Sequence, residues 1–343
     1  MLRMLNNQLN IIPEPATSGV DGQPNLLNTG LERLAGRRVV FSNDFSRDPI
    51  ALQPLGVGQK FAGIIREFSP HPRERLVASV DSSCALIGET EEGAIYAGRV
   101  ATVIASRGRT QSFRRLGPVV FYVNPSSISS IAPGLSRRGQ DLVLSEKSIA
   151  ERFIRIYLER SAQLYLAMNV TDSIIVVDGS LRTSVLELKT NSLSALQLEA
   201  ERNSSQLVGI CKSSGVRTIS AAASYLQTLE KSSVYLDISH SVRGIISGIG
   251  NNKVTVARFS PASQVFRVDF SSSNAEHEEQ IFADLRHNDL FFRGYPETLR
   301  LAHHLSVFDS AIVSSVRSYL SKQYGLIHVP TDDLRATILG KLV

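Results

Sequence analysis

The sequence predicts an α/β protein, a mixed β-sheet covered by helices, and three observations predict it. Between residues 76 and 105, apolar and β-branched runs alternate with turn residues, the pattern of an antiparallel meander. Residues 145–168 then have helical length and composition. Beyond them two short apolar runs, 174–177 and 207–210, are separated by a second helical stretch, so strand, helix and strand alternate as in a crossover unit.

Composition sets the outer bounds. With 343 residues, 43% hydrophobic and 20% charged, the chain can build one large domain or two ordinary ones around a real core. It has no apolar run of 18 or more residues, and its first residues lack the apolar stretch of a signal peptide, so the expectation is a soluble, cytoplasmic, nucleoid-associated protein without a membrane role. Cys84 and Cys211 are too few for a disulfide framework, and without C-x-x-C spacing they argue against a cysteine-held zinc. A net charge of +5 suits a polyanionic partner without demanding one.

Taken in order, the first 25 or so residues, with Pro13, Pro15, Gly19, Gly22 and Pro24, read as a loose arm. Residues 27–68 read as a small β-rich or mixed module, so that 1–70 is an N-terminal arm and appended module and 71–343 the main domain. Strands are predicted over 76–81, 84–88 and 94–105. Ser145 is placed to cap a helix with Glu146 in its first turn, reaching Met168. A strand over 174–178 follows, then a helix over 192–202, a strand over 206–211 and a helix over 221–229. Further strands are predicted over 233–238, 253–259 and 265–270, and a last helix from Pro296, suited to a first helical position, to Leu320. Three antiparallel strands, a helix, then strand, helix and strand is the order of an RNase H-like core.

The most informative residue is Asp178, which ends the run Ile174-Ile175-Val176-Val177. A strand buried on both faces meets solvent, substrate or metal first at its end. Asp81 has the same setting after Leu76-Val77-Ala78-Ser79-Val80, and two such carboxylates far apart in sequence are what a divalent-metal site on a sheet edge needs. Asp178-Gly179-Ser180 is equally consistent with a plain turn. Arg99, Arg107, Arg109, Arg114 and Arg115 crowd into seventeen residues, followed by Arg137 and Arg138; they fit either a phosphate-tracking groove or a solvated loop. Lys212, at the end of the next apolar strand, fits either a phosphate contact or an ordinary strand-terminal lysine. In Val265-Phe266-Arg267-Val268-Asp269-Phe270, alternation makes Arg267 and Asp269 a solvent-face pair outside the site.

Four pieces together resemble the NurA nuclease family: Val80-Asp81-Ser82-Ser83; Leu158-Glu159-Arg160 on a helix; Val177-Asp178-Gly179-Ser180-Leu181; and Gly294-Tyr295-Pro296 followed by Ala302-His303. The resemblance spans roughly residues 75 to 315. It implies a metal site of Asp81, Glu159, Asp178 and His303 with Tyr295 beside it and Lys212 near the same edge; on charge, Arg107, Arg109, Arg114 and Arg115 join Lys212 as candidate DNA contacts. Hard carboxylate oxygens suit Mg²⁺ or Mn²⁺, and an imidazole tilts the preference to Mn²⁺; two ions about 4 Å apart would serve an in-line phosphodiester displacement. Glu159 is also placed for an i,i+4 pair with Arg155, and Glu151 and Glu187 are rivals for the third carboxylate. His304 neighbours His303 on a helix but projects about 100° away. Tyr295 also fits a packed core position.

The implied function is a metal-dependent deoxyribonuclease with 5′ to 3′ exonuclease and single-strand endonuclease activity on single-stranded DNA and duplex ends. The implied context is DNA end resection for double-strand break repair, as a homodimer with a HerA-type hexameric ATPase. The chain itself has no G-x-x-x-x-G-K-[ST] motif for ATP. The alternatives are a non-catalytic DNA-binding or translocase-docking subunit that keeps an RNase H-like fold, and another RNase H-like enzyme such as a ribonuclease.

Overall fold

The computed structural model describes residues 35–36, 38–41, 65–212, 216–231, 233–261 and 263–328. The predicted N-terminal arm and most of the appended module lie outside the described residues. The strands are β1 (Arg38–Phe41), β2 (Ile65–Glu67), β3 (Leu76–Thr90), β4 (Gly93–Ser106), β5 (Arg109–Val123), β6 (Ser173–Asp178), β7 (Gln206–Cys211), β8 (Val234–Asp237), β9 (Lys253–Arg258), β10 (Val265–Phe270), β11 (Phe291–Phe292), β12 (Tyr295–Pro296) and β13 (Ile327–His328). The helices are α1 (Ile128–Ile131), α2 (Arg137–Ser145), α3 (Lys147–Asn169), α4 (Leu193–Arg202), α5 (Arg217–Gln227), α6 (Ser239–Val242), α7 (Glu278–Asn288), α8 (Glu297–Ser306) and α9 (Ser310–Tyr324).

Nine strands lie side by side in the order β5-β4-β3-β6-β7-β10-β9-β8-β2, and β1 and β13 continue the sheet beside the distal half of β3. Strands β3, β4 and β5 form the antiparallel meander, β6 and β7 add parallel to β3, and β10 returns antiparallel. This is the RNase H-like mixed sheet that the element order predicts, extended by β10, β9, β8 and β2. β1 and β2, from within residues 1–70, both hydrogen-bond into this sheet.

Several elements differ from the sequence reading. The runs 76–81 and 84–88 are one strand, because β4 pairs with β3 straight through Asp81↔Ala101, Ser82↔Val100 and Ser83↔Arg99. Serines that would favour a turn are held extended by a complete ladder, and their hydroxyls bond outward to helices instead. The third meander strand is β5, where charge had suggested a loop or groove. Its first half, Arg109 to Phe113, is exposed, which is why no apolar pattern marks it. The predicted helix over 145–168 begins at Lys147, Ser145 being the last residue of α2. The predicted helix over 296–320 is interrupted at Val307, with Asp309 capping α9 by accepting from the Ile312 N–H at 2.7 Å.

Two cores sandwich the sheet. On one face Ala78, Val80 and Val100 pack under Phe153, Ile154 and Leu158 of α3. On the other Val77, Ile174, Val176 and Ile210 pack with Phe282, Tyr295 and Leu299. Gly98 lets α3 sit close: a Cβ there would lie 2.6 Å from Leu158 Cδ1. No helix among the described residues is long and apolar enough to cross a membrane.

Candidate active site

Parallel pairing of β3 and β6 sets Val80 opposite Val177, so Asp81 and Asp178 come next in register on adjacent strands. Residues in register share a face about 4.8 Å apart. At that point the strands part: β6 ends and Gly179 takes φ +115, whereas β3 runs on beside β4. Asp81 therefore lies mid-strand rather than at a strand end, and the sheet edge beside it is created by its neighbour stopping.

Two elements close over this edge. The β11–β12 hairpin depends on Gly294 (φ +87), where a Cβ would stand 2.5 Å from the Ser263 Cβ. It delivers the Tyr295 hydroxyl to Asp178 Oδ1, donating at 2.9 Å. Helix α8 brings His303 Nδ1 to 2.7 Å from Asp81 Oδ2. The contact ties the imidazole of α8 to the β3 carboxylate through Nδ1 and leaves Nε2 as the ring nitrogen not engaged by Asp81. Lys212, at the end of β7, places Nζ 2.7 Å from Asp178 Oδ2 and 5.1 Å from the Tyr295 ring centroid.

Glu159 comes from α3 on the opposite face. Ser82, one residue past Asp81 and therefore pointing to that face, donates to Glu159 Oε1 at 2.7 Å. The pair with Arg155 is present but long, 3.8 Å. Burial pushes the Glu159 carboxyl up to about 7, Arg155 and Ser82 oppose it, and the charges of Asp81 and Asp178 add to it. The charges of both aspartates thus reach Glu159 from the other side of the sheet. Tyr295 is also pushed well above its ordinary value, first by burial and then by Asp178, so it stays protonated as a fixed donor.

The folded state thus holds the Glu159 proton more tightly than the unfolded chain, whose carboxyl titrates near 4.5. Its penalty is absent below that pH, grows as pH rises to about 7 and is constant above. Glu159→Gln should accordingly stabilise the metal-free protein at pH 8, on the order of 2–3 kcal/mol, and leave it nearly unchanged at pH 4.5. Denaturant melts in chelator at the two pH values test this, and a difference that does not vary with pH would refute it.

The rival carboxylates differ in their surroundings. Glu187 is buried, accepts from Arg160 Nε at 3.1 Å and from the Leu193 N–H at 3.3 Å, and so ties α3 to the start of α4. Both Glu151 and Glu187 line the same 510 Å³ cavity as Glu159 and Asp178, on the α3 side of the sheet.

The arginine cluster is divided by strand alternation. Arg115 is opposite Ala101, which is opposite Asp81, so Arg115 shares the Asp81 face two strands away. Arg114 lies on the α3 face, where its charge reaches Tyr165. Arg107 and Arg109 stand at the β4–β5 turn, about five residues or ~17 Å along the sheet from the Asp81 row, and Arg107 pairs with Glu74. Arg99 is buried between Arg115 and the end of α8, donating to the Val307 carbonyl at 3.1 Å and stacking on Phe308.

Two supports were invisible in the sequence. Asp289, buried and raised to about 7 by burial, accepts from the Thr298 hydroxyl at 2.5 Å, and Thr298 meets Ser79 at 2.7 Å. This chain fixes the first turn of α8, and hence His303, against β3. Arg267 and Asp269 are the second support and correct an expectation: they are buried, not a solvent-face pair. Their face of β10 is covered by the chain returning after Asp178. Arg267 grips Asp269 through two bonds of 2.7 Å, and Asp269 Oδ2 accepts the Leu181 N–H at 3.0 Å. Alternation reveals which residues share a face but not whether a loop will cover it.

Among the described residues no three His, Cys, Asp or Glu side chains are grouped closely enough to hold a metal ion as they stand. Asp178 instead carries a phenol on one oxygen and an ammonium on the other. The donor types nevertheless fit a hard divalent ion. Three carboxylates and an imidazole suit Mn²⁺ or Mg²⁺ as donor types. For that, Asp178 Oδ2 must exchange Lys212 for the ion.

No curated protein matches this chain. Among solved structures, the NurA nuclease from Sulfolobus solfataricus is similar at a TM-score of 0.47 and 16% identity, covering 76% of this chain and 88% of that one. A NurA bound to dAMP and manganese gives 0.44 and 12%, covering 71% and 88%. The catalytic domain of human Endonuclease V gives 0.36 and 13%, covering 74% and 85%. A family model, the NurA domain, matches residues 75–308. That match takes in everything from β3 to α8, including Asp81, Glu159, Asp178, Tyr295 and His303, and it is well over half of the sequence: the chain belongs to the NurA family.

Proposed function

We propose that this protein is a divalent-metal-dependent deoxyribonuclease, a phosphodiester hydrolase using Mn²⁺ or Mg²⁺, with two ions per site. The observation that carries the reading is the meeting of Asp81 and Asp178 on adjacent strands with Glu159 from one face and His303 and Tyr295 from the other. Asp81, Glu159, Asp178 and His303 would hold the ions, whose chemistry is Lewis-acid polarisation of the phosphodiester and activation of water. Tyr295 keeps its proton and fixes the rotamer of Asp178. Lys212, half exposed beside Asp178, supplies a point charge for a phosphate oxygen once Asp178 no longer holds it. Arg115 and Arg99 extend the positive potential along the Asp81 face, and Arg107, Arg109 and Arg114 are proposed DNA contacts elsewhere on the surface.

The finer reading follows the family resemblance. The activities are 5′ to 3′ exonuclease and single-strand endonuclease, on single strands and duplex ends. The setting is end resection for double-strand break repair, as a homodimer fed by a HerA-type hexameric ATPase, with residues 1–70 as part of the docking or dimer surface. The purified chain is expected to cleave DNA but not RNA in Mn²⁺, to lose cleavage in chelator, and to melt higher in Mn²⁺ by mass action. Cleavage of RNA would favour the ribonuclease alternative. Binding without any cleavage would favour the non-catalytic subunit.

A further inference from the structure

Two cavities flank the turn that follows Asp178. The 510 Å³ cavity on the α3 side is lined by Asp178, Glu159 and Ser180, and a second cavity of 430 Å³ is lined by Gly179, Ser180, Lys212 and the apolar Val216, Ile245 and Ile246. Each falls within the ~300–1,000 Å³ span of small-ligand sites, room for a nucleotide but not for a duplex. Ser180 and Arg182 line both. Arg182 is exposed, and among the described residues its guanidinium has no hydrogen-bond or ion-pair partner.

The backbone on either side of Arg182 is pinned. The Leu181 N–H is held by buried Asp269, and the Leu181 carbonyl accepts from Asn252 Nδ2 at 2.8 Å. The Leu181 side chain covers Gly209, where a Cβ would clash with it at 3.0 Å and with the Gly179 carbonyl at 2.6 Å. On the other side the Thr183 N–H donates to the Gly248 carbonyl at 2.8 Å. The guanidinium between the two cavities, on a backbone anchored at both neighbours and with its charge bearing on Asp269 and Cys211, leaves its N–H groups available to an anion, and their fork geometry matches phosphate oxygens.

We propose that Arg182 is a positioning residue that holds the phosphates flanking the scissile one, and that the two cavities take successive nucleotides of one DNA strand bent over the Asp178 turn. The apolar wall of Ile245, Ile246 and Val216 then faces a base, and Lys212 and Arg182 face the backbone. This rests on the nuclease reading above, and it adds a substrate path and a residue which that reading does not use.

The test compares wild type, Arg182→Gln and Arg182→Lys with a fluorescent single-stranded oligodeoxynucleotide. Binding is measured in Ca²⁺ across a salt series, and cleavage kinetics in Mn²⁺. Arg182→Gln is expected to weaken binding about tenfold, lower the log-log salt slope by roughly 0.7 and raise KM with kcat within about threefold. Arg182→Lys should recover part of the affinity, and the Mn²⁺-induced melting shift should equal wild type in both. Unchanged affinity and salt slope in Arg182→Gln, with wild type active, overturns this inference alone. A wild type that neither binds nor cleaves the oligonucleotide overturns the nuclease reading and this inference with it.

Discussion

Asp178→Ala is expected to abolish DNA cleavage in Mn²⁺, by on the order of 10³-fold or more, while the protein stays folded. The carboxylate is the point where β6, β12 and β7 meet: Tyr295 donates to one oxygen and Lys212 pairs with the other. Its loss removes a hard oxygen ligand that neither partner can replace, and groups that act as a unit lose nearly all activity together. The structural cost is moderate. Lys212 is half exposed and regains water, so the lost ion pair is worth about 1 kcal/mol or less, and the buried Tyr295 hydroxyl left without its acceptor adds about 1–3 kcal/mol. The melting temperature in chelator should fall moderately, and its rise on adding Mn²⁺ should shrink. Near-normal cleavage by this variant would remove Asp178 from the chemistry and return Asp178-Gly179-Ser180 to an ordinary turn.

The opposite balance is expected at Asp269. It is fully buried, it holds the buried Arg267 guanidinium through two bonds, and it caps the Leu181 N–H. Asp269→Ala leaves a guanidinium uncompensated in the interior, a change that costs about 3–5 kcal/mol. The melting temperature should fall on the order of 10 °C. Replacing both residues, Arg267→Met with Asp269→Leu, should cost clearly less, because no unpaired charge remains. If the single and double variants melt alike, the pair is not what holds the loop. Any activity lost by Asp269→Ala below its melting temperature would come from the displaced 179–183 segment, since Asp269 is not among the residues proposed to hold the ions.

Most of the sheet was legible because buried parallel strands are written as continuous apolar runs. The short, β-branched-rich runs at 174–177 and 207–210 read as strands buried on both faces, and they are β6 and β7. The helix predicted over 192–202 is α4, capped by Ser192, which accepts from the Ala195 N–H at 3.2 Å. β5 was hidden because its exposed half carries charges and its only strand signal is the pairing with β4. Helix α7 was not read at all; it opens with Glu278 and Glu279, but His277 at its N-cap provides no side-chain cap.

By itself the sequence determined which residues are the candidates and how far apart in the chain they lie: carboxylates after apolar runs, and a Gly-Tyr-Pro before a histidine. Tertiary structure alone decided how they meet. Register between β3 and β6 sets Asp81 beside Asp178, alternation sends Ser82 to the α3 face to hold Glu159, and the same alternation parts Arg114 from Arg115. A linear pattern encodes the local periodicity of each strand. Which strand stops short, which face a loop covers and whether a pair such as Arg267–Asp269 is buried depend on contacts between residues remote in sequence, and burial rather than residue type then sets the charge state of Glu159.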